Sequence, residues 1–596
     1  MNLQKDIKDK LYKVMRIFVV VFLVLSVKLL SAQNTFFAAN SSNNDFLDRI
    51  EIKSGKAFPG HHSIFKPYGR KSAISFLEYS DSSLTNLSEV DKRIIFDLML
   101  ENAEFASINQ DPSKKPFLKY FYQYPQDFYR INNEEYFIAV NPVIYFDLGL
   151  EKDIKEHLYI NTRGIEVRGL INGRVGFYSF LVDNQARFPS YINNQIAQQE
   201  GAVSGEGWNQ QFGTGGYDFF TARAYISFKA TKSIEMQFGQ DKNFIGHGIR
   251  SLLLSDYSNN YLFLKINTQI GRFHYQNIFA ELIDYPLRSY GGRLFDKKYS
   301  TTHTLSMNLT DKFQLALFEN VIYGRSDDMG RRGVELHYFN PIIFYRAIEH
   351  HVGDADKVAI GLNWRWLLGK KASFYGQIYI DDFHIGDIKK DIDYLLFKYG
   401  ITGEMRYDEH GSFRNKFALQ TGLKIVDLFG IDNLDIQGEV NLVRPYVYSH
   451  YDTYGSGLRP SASYSHYSQA LAHPLGANFR EYIGVIKYQP HHKWTVLSTF
   501  MYVNQGVDTA GVNFGSNILN DYSDRPGDYN ILFLQGNRKN ILLWEMMLSW
   551  QFRHNFWIDG RFVLRNEEYP LQGLIYNTHH YGIGLRMNIA PRRNIF

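Results

Sequence analysis

A chain of 596 residues with 65 Lys and Arg against 61 Asp and Glu carries little net charge, and its 42 Tyr, 46 Phe and 47 Gly set it apart from disordered or collagen-like sequences. The absence of cysteine excludes disulfides, thiolate metal sites, cysteine nucleophiles and a lipidated cysteine anchor. Length alone leaves open several soluble domains or one large β-barrel with appendages.

At the N-terminus, Lys5, Lys8, Lys10, Lys13 and Arg16 precede an apolar stretch at 17–25, and Leu30-Ser31-Ala32 places a small residue before Gln33. This is the layout of an export signal, residues 1–32, cleaved after Ala32, with Met15 as an alternative start. A retained membrane helix fits less well, because about 20 apolar residues are needed to span a bilayer. Removing the leader takes six basic and two acidic residues from the 65 and 61, leaving 59 of each. A neutral mature chain gives no electrostatic case for nucleic acid.

Residues 33–135 read as an N-terminal periplasmic segment. Ser88 with Asp91 resembles a capping box, and Val90, Ile94, Ile95, Leu98, Met99 and Ala103 put an apolar stripe on a helix over 89–105. The expectation is a packed helix that covers or plugs a barrel mouth.

From 136 to 596 the pattern is that of strands. Within 358–366, Val358, Ile360, Leu362, Trp364 and Trp366 share one face while Ala359, Gly361, Asn363 and Arg365 share the other. Such a strand offers an apolar face to lipid and a polar one to a lumen. The same period recurs in Phe397, Tyr399, Ile401, Met405 and Tyr407, and again in Leu542, Trp544, Met546, Leu548, Trp550 and Phe552. A large secreted β-sandwich or β-helix is the competing architecture. Tight links at Asn172-Gly173, Thr231, Gly271, Asp311 and His554 alternate with long ones at 183–220 and 504–540, the asymmetry of an outer-membrane barrel. A strict strand count is odd, and the alternation breaks between Asp427 and Phe479. Either 434–443 belongs to a long excursion or a strand hides within 444–471, for about eighteen or twenty in all. The segment 578–589 has the layout of a closing strand read by the barrel-assembly machinery, and Pro591 separates it from Phe596. The expected fold is thus all-β, a transmembrane antiparallel β-barrel of about 18 strands with a small N-terminal periplasmic helical element, in the cell outer membrane among its lipids.

Little resembles catalysis. Gly246-His247-Gly248 is followed by Ser251 and by no Gly-Lys-Ser or Gly-Lys-Thr, so neither nucleotide fingerprint is met. His350-His351, beside Glu349 and Asp354, point to opposite faces if they lie on a strand, and His-Glu-x-x-His spacing is missing. The pairs Glu567-Glu568 and Asp381-Asp382 read as solvated loop charge. No enzyme activity, metal or cofactor is expected.

Three segments crowd polar, aromatic and glycine residues without simple alternation: 239–256, 339–349 and 471–481. They resemble the Wzi-like capsule-assembly family, including the RemB-type gliding-motility proteins of Bacteroidetes. The resemblance runs from about Phe65 to the C-terminus. It implies a barrel of about eighteen strands with a periplasmic helical element, acting as a lectin for capsular polysaccharide or, in the RemB branch, as a surface protein of gliding. A lectin site needs aromatic faces for sugar rings with amides, carboxylates or guanidiniums for hydroxyls. Asn243, His247, Arg250, Arg346, Glu349, His473, Asn478 and Glu481 are the candidates. Each has a structural alternative, since lumen polar groups also pair with one another to fix an inward-folded loop. The expected partner is surface polysaccharide, bound by a monomer; a diffusion porin for small solutes or oligosaccharides is the alternative.

Overall fold

The structure, a computed structural model, describes residues 34–596 except 59, 109–110, 285–295, 325, 328–329, 332–335, 341–355, 452–459 and 510. The segment expected to be an export signal therefore lies outside the described residues. From Tyr136 onward, eighteen antiparallel strands close into a barrel, from β1 (Tyr136–Glu151) to β18 (Leu574–Met587), which pair with each other through Ile144 to Glu151 and His580 to Met587. Closure leaves no strand edge unpaired, as a lipid environment demands.

The two-residue period works as the sequence implies. In β10 (Lys357–Leu368), Asn363 and Arg365 are buried towards the lumen while Trp366 and Leu368 are exposed on the outside. In β16 (Asn537–Arg553), Leu542, Met546, Leu548 and Trp550 are exposed outside and Glu545 and Ser549 buried inside. An outer surface of such side chains is the lipid-facing wall of a spanning barrel. The tight links sit at one end. Asn172 and Gly173 both have positive φ, 50° and 55°, which suits a two-residue hairpin between twisted strands. The long connections gather at the other end.

One open strand assignment is settled and one is overturned. The segment 434–443 is a barrel strand, β13 (Leu434–Val443), between β12 (Lys416–Ile425) and β14 (Phe479–His491). The alternating residues from Phe397 to Tyr407 form no strand: Phe397 ends a helix at Ile385–Lys398, and the rest lie in an irregular return containing Gly400 and Gly403. Ile385, Ile388, Ile392, Leu395 and Tyr399 recur at helical spacing, a period that takes over the first residues of the alternation. Keeping 434–443 as a strand and dropping 397–407 gives the even count.

Three helices, α1 (Ser42–Ser54), α2 (Arg70–Ser83) and α3 (Glu89–Glu101), fill the short-turn end. The Ser88–Asp91 capping box is present, and α3 stops at Asn102 rather than continuing to 105. Phe46, Leu47, Ile50, Ile74, Leu77 and Leu98 form the bundle's own apolar core. Ion pairs fasten it to the barrel. Arg49 reaches Asp91 at 3.0 Å, Asp427 at 2.5 Å and also Asp435, while Lys53 lies 2.7 Å from both Asp91 and Asp427. Asp48 receives Lys66 at 2.9 Å and Lys424 at 2.8 Å, and Glu51 pairs with Arg365.

Asp91 sets an acid limit on this fastening. Burial acts to raise its pKa, but the Arg49 and Lys53 cations and their hydrogen bonds outweigh that and pull it down to about 2. A carboxylate depressed in the folded state gives stability that is complete above its unfolded value near 4 and lost as pH falls through about 2, a change of about 2 kcal/mol. Pepsin cleavage within residues 34–105 of the detergent-solubilised protein is therefore expected to be slow at pH 4 and fast at pH 2, and Asp91→Asn is expected to be cleaved readily at both. Equal protection of the parent protein at the two pH values would contradict this.

Candidate functional site

The connection between β5 (Ile234–Asp241) and β6 (Tyr261–Ile270) does not project from the barrel but folds down its lumen. Ile245 meets Phe65 of the N-terminal segment in a two-residue antiparallel pair, and the Gly246 N–H donates to the Ile64 carbonyl at 2.9 Å. Leu252, Leu253 and Leu254 are buried with Phe318, Tyr379, Tyr448 and Tyr464 in an apolar core inside the barrel. Each fully buried leucine is worth about 1.5–3 kcal/mol.

An irregular chain enclosed in this way has backbone groups that neither water nor a ladder can satisfy. Wall side chains take that role. Glu439 on β13 accepts from the backbone N–H groups of Ile249 at 2.7 Å and Arg250 at 3.1 Å. Gln420 on β12 donates to the Arg250 carbonyl at 3.0 Å, and Gln377 on β11 (Ala372–Asp382) accepts from the Leu252 N–H at 2.7 Å. The hydroxyls of Tyr448 and Tyr464 donate to the Leu252 and Leu253 carbonyls at 2.8 and 2.6 Å. Glycine is required at 248, where a Cβ would lie 2.3 Å from a Glu439 carboxylate oxygen and 2.7 Å from the Arg250 carbonyl.

The Arg250 side chain makes the tightest junction. Its guanidinium lies 2.9 Å from Glu481 on β14 and donates to the Ile595 carbonyl at 2.5 Å, so loop, wall and C-terminal segment meet at one residue. The other Glu481 oxygen accepts from Asn441 at 2.9 Å and is 2.8 Å from His473 Nε2. Leu475 N–H donates to His473 Nδ1 at 3.2 Å, which leaves the ring proton on Nε2, directed at Glu481. Burial holds His473 below its ordinary pKa although Glu481 pulls the other way, in keeping with a neutral ring.

The chain matches no family model and no curated protein. Its fold is similar to that of Wzi. That protein is described as an outer membrane protein involved in group 1 capsule assembly in Escherichia coli and as a carbohydrate-binding β-barrel; the TM-score is 0.53 at 10% identity, covering 94% of this chain and 100% of Wzi. OprD of Pseudomonas aeruginosa matches at TM-score 0.39 and 9% identity over 81% of this chain and 98% of its own. OccAB3 of Acinetobacter baumannii matches at 0.38 and 9% over 76% and 98%. The likeness to Wzi shows a shared barrel fold.

Of the eight candidates, Arg250, His473 and Glu481 are brought together and buried, with Arg250 and His473 each paired to Glu481. Asn478 stands apart at the start of β14. It donates to the Gly506 and Gln535 carbonyls at 2.7 and 2.9 Å and accepts from the Leu534 N–H at 2.9 Å, tying down the 508–536 connection. Asn243 accepts from Lys265 at 2.9 Å and donates to the Tyr261 hydroxyl at 3.3 Å. His247 is buried, with no hydrogen-bond partner for Nε2 among the described residues, and burial pushes its pKa well below the ordinary value. Arg346, Glu349 and the His350-His351 pair lie outside the described residues.

Glu439, Gln420, Gln377, Asn441 and Tyr375 complete the junction and were not singled out from sequence; alternation marks them as lumen-facing but does not say what they hold. The carboxylate pairs also need correcting. Asp381 is buried against Lys357 at 2.5 Å, and Glu567 lies between Lys539 at 3.4 Å and Arg565 at 2.6 Å, so both are lumen ion-pair partners on strands.

Removing one member of a buried ion pair costs about 3–5 kcal/mol, because the other charge stays desolvated. Arg250→Ala and Glu481→Gln are each expected to lower the temperature at which the folded band is lost in unboiled gels. The double variant is expected to lose clearly less than the two single losses combined. Additive losses would mean that the two side chains are not coupled.

Proposed function

We propose that this protein is a sealed outer-membrane barrel of the Gram-negative cell surface whose long loops bind polysaccharide, either to attach a capsule or as part of surface gliding. The observation that carries the reading is the filled lumen. A diffusion porin needs a continuous water path, whereas here the 242–256 segment, residues 61–66 and the tail from Asn588 occupy the interior and hydrogen-bond to its wall. The carbohydrate-binding description of Wzi and the resemblance of the 239–256 and 471–481 segments support the same reading.

Arg250, Glu481 and His473 act in this proposal as positioning residues, not as sugar contacts, since Arg250 and His473 are already bonded to Glu481 in the buried lumen. Contact falls to the loop surface above them. There Arg525 stacks on Phe413 at 3.6 Å and pairs with Asp528, Tyr522 packs at 6.0 Å from Phe413, and Asp521 accepts from Ser523. Aromatic rings with carboxylates and a guanidinium are the residue types of a sugar site, and a sugar binding here exchanges these contacts for its own. The protein works as a monomer in this reading, since one barrel carries both the lock and the loops.

The purified protein in detergent, applied to an array of bacterial polysaccharides, is expected to retain at least one acidic or neutral capsule glycan, and Arg525→Ala with Tyr522→Ala to bind it at least tenfold more weakly without altered heat-modifiable mobility. A deletion strain scored for capsule retention and colony spreading separates the two biological roles. Binding to no glycan, together with normal capsule and spreading in the deletion strain, would overturn the proposal.

A further inference from the structure

The segment between the helical bundle and the barrel straddles the wall: Asp127 turns inward to Asn141 and Arg168, while its flanks lie against the outside. Register shows this. Met587, the last residue of β18, lies opposite Ile144, which is exposed on the lipid-facing side, and cross-strand partners point to the same face. Met587 is nevertheless only 5% exposed, because the Tyr122 hydroxyl covers its sulfur at 3.9 Å. Just below, the short strand Tyr129–Asn132 pairs with Phe137 to Val140 of β1, prolonging the seam where β18 ends. Tyr129 lies opposite Val140, again on the outer face, and is exposed.

On this outer footing stands an aromatic cluster. Phe121 stacks on Phe128 at 4.4 Å, Tyr122 meets Phe128 edge-on at 5.4 Å, and Phe117 and Phe121 pair through their backbones. The tip then presents what a water-facing loop rarely carries: Phe117, Leu118 and Tyr120 are 58%, 66% and 68% exposed. Lys114, Lys115 and Lys119 are exposed around them, with Asp111 the one acidic residue of 111–120.

We propose that residues 114–129 are a leaflet anchor: Phe117, Leu118 and Tyr120 enter the headgroup layer of the phospholipid leaflet at the short-turn end, and the three lysines pair with anionic headgroup phosphates. Two features favour lipid over a protein partner. The patch adjoins the lipid-facing wall, through Tyr122 lying on Met587 beside Ile144 and through the exposed Tyr129. Aromatic rings beside basic side chains also suit the interface, where apolar bodies sit below the phosphates and cations at their level. The anchor further ties the first and last strands together across the seam, which joins them directly over only Ile144 to Glu151. This inference depends on the barrel crossing a bilayer and not on the polysaccharide reading, so either can fail alone.

The absence of cysteine allows one nitroxide label at a time on the full chain. Leu118→Cys, or Tyr120→Cys should the first not assemble, is placed in vesicles of phosphatidylethanolamine with phosphatidylglycerol and compared with Asp153→Cys in the exposed β1–β2 link. The 118 label is expected to collide more with dissolved oxygen than with a water-soluble nickel complex, and the 153 label the reverse. Changing Lys114, Lys115 and Lys119 to Glu is expected to shift the 118 label towards water in these vesicles and to leave it unmoved in phosphatidylcholine alone. A 118 label as open to nickel as the 153 label would overturn the anchor and point to a protein partner. Immersion indifferent to the lysine changes in both lipids would overturn the phosphate pairing.

Discussion

Enclosing an irregular stretch of backbone inside a barrel is costly unless every peptide group that loses water finds another partner, and the interior of this protein is organised around that requirement. The backbone pairing of the 242–256 segment is sparse: a two-residue ladder with Phe65 and Lys66, a single bridge from Ile245 to Leu254, and a bond from the Ser255 N–H to the Leu471 carbonyl. Glu439, Gln420 and Gln377 stand in for a neighbouring strand, each presented by the regular alternation of its own strand. A carboxylate that accepts two successive N–H groups, as Glu439 does from Ile249 and Arg250, also fixes how closely the chain approaches the wall, and only glycine fits at 248.

Once that segment is fixed, it becomes a surface for other parts of the chain. Residues 64 and 65 reach it from the helical bundle, and Ile595 reaches it from the tail through Arg250. The bundle is held by charges at the barrel's short-turn end, while the connections carrying Tyr448, Tyr464 and His473 descend from the opposite end. Both ends of the barrel are thereby coupled to one buried core. In the proposed function, the Arg250–Glu481 pair bears on the outer loops only through this shared core.

The barrel was legible because a spanning strand must show its two faces to different solvents, and Trp364, Trp366, Leu542 and Leu548 record that directly. The capping box at Ser88 was legible for a similar reason, since a helix start has few chemical solutions. Alternation failed at 397–407, where five residues of period two begin at the end of a helical stripe and run on into an irregular return with no neighbouring strand to pair with them. The candidate site was half legible. Composition drew attention to Arg250, His473 and Glu481, yet a lumen arginine that binds a ligand and one that pins a loop look alike until its partners are known. Those partners, Glu439 and Gln420 among them, lie 170 residues or more away along the chain, and spacing carries no trace of such contacts.

The central claim is that the lumen is filled and locked. Current through single molecules of the full chain in a planar bilayer measures this most directly: the account predicts a silent membrane for the parent protein, with conducting events appearing in Glu439→Ala, where the inward segment loses its acceptor for Ile249 and Arg250. Steady, ohmic conductance from the parent protein, unchanged by Glu439→Ala, would contradict it.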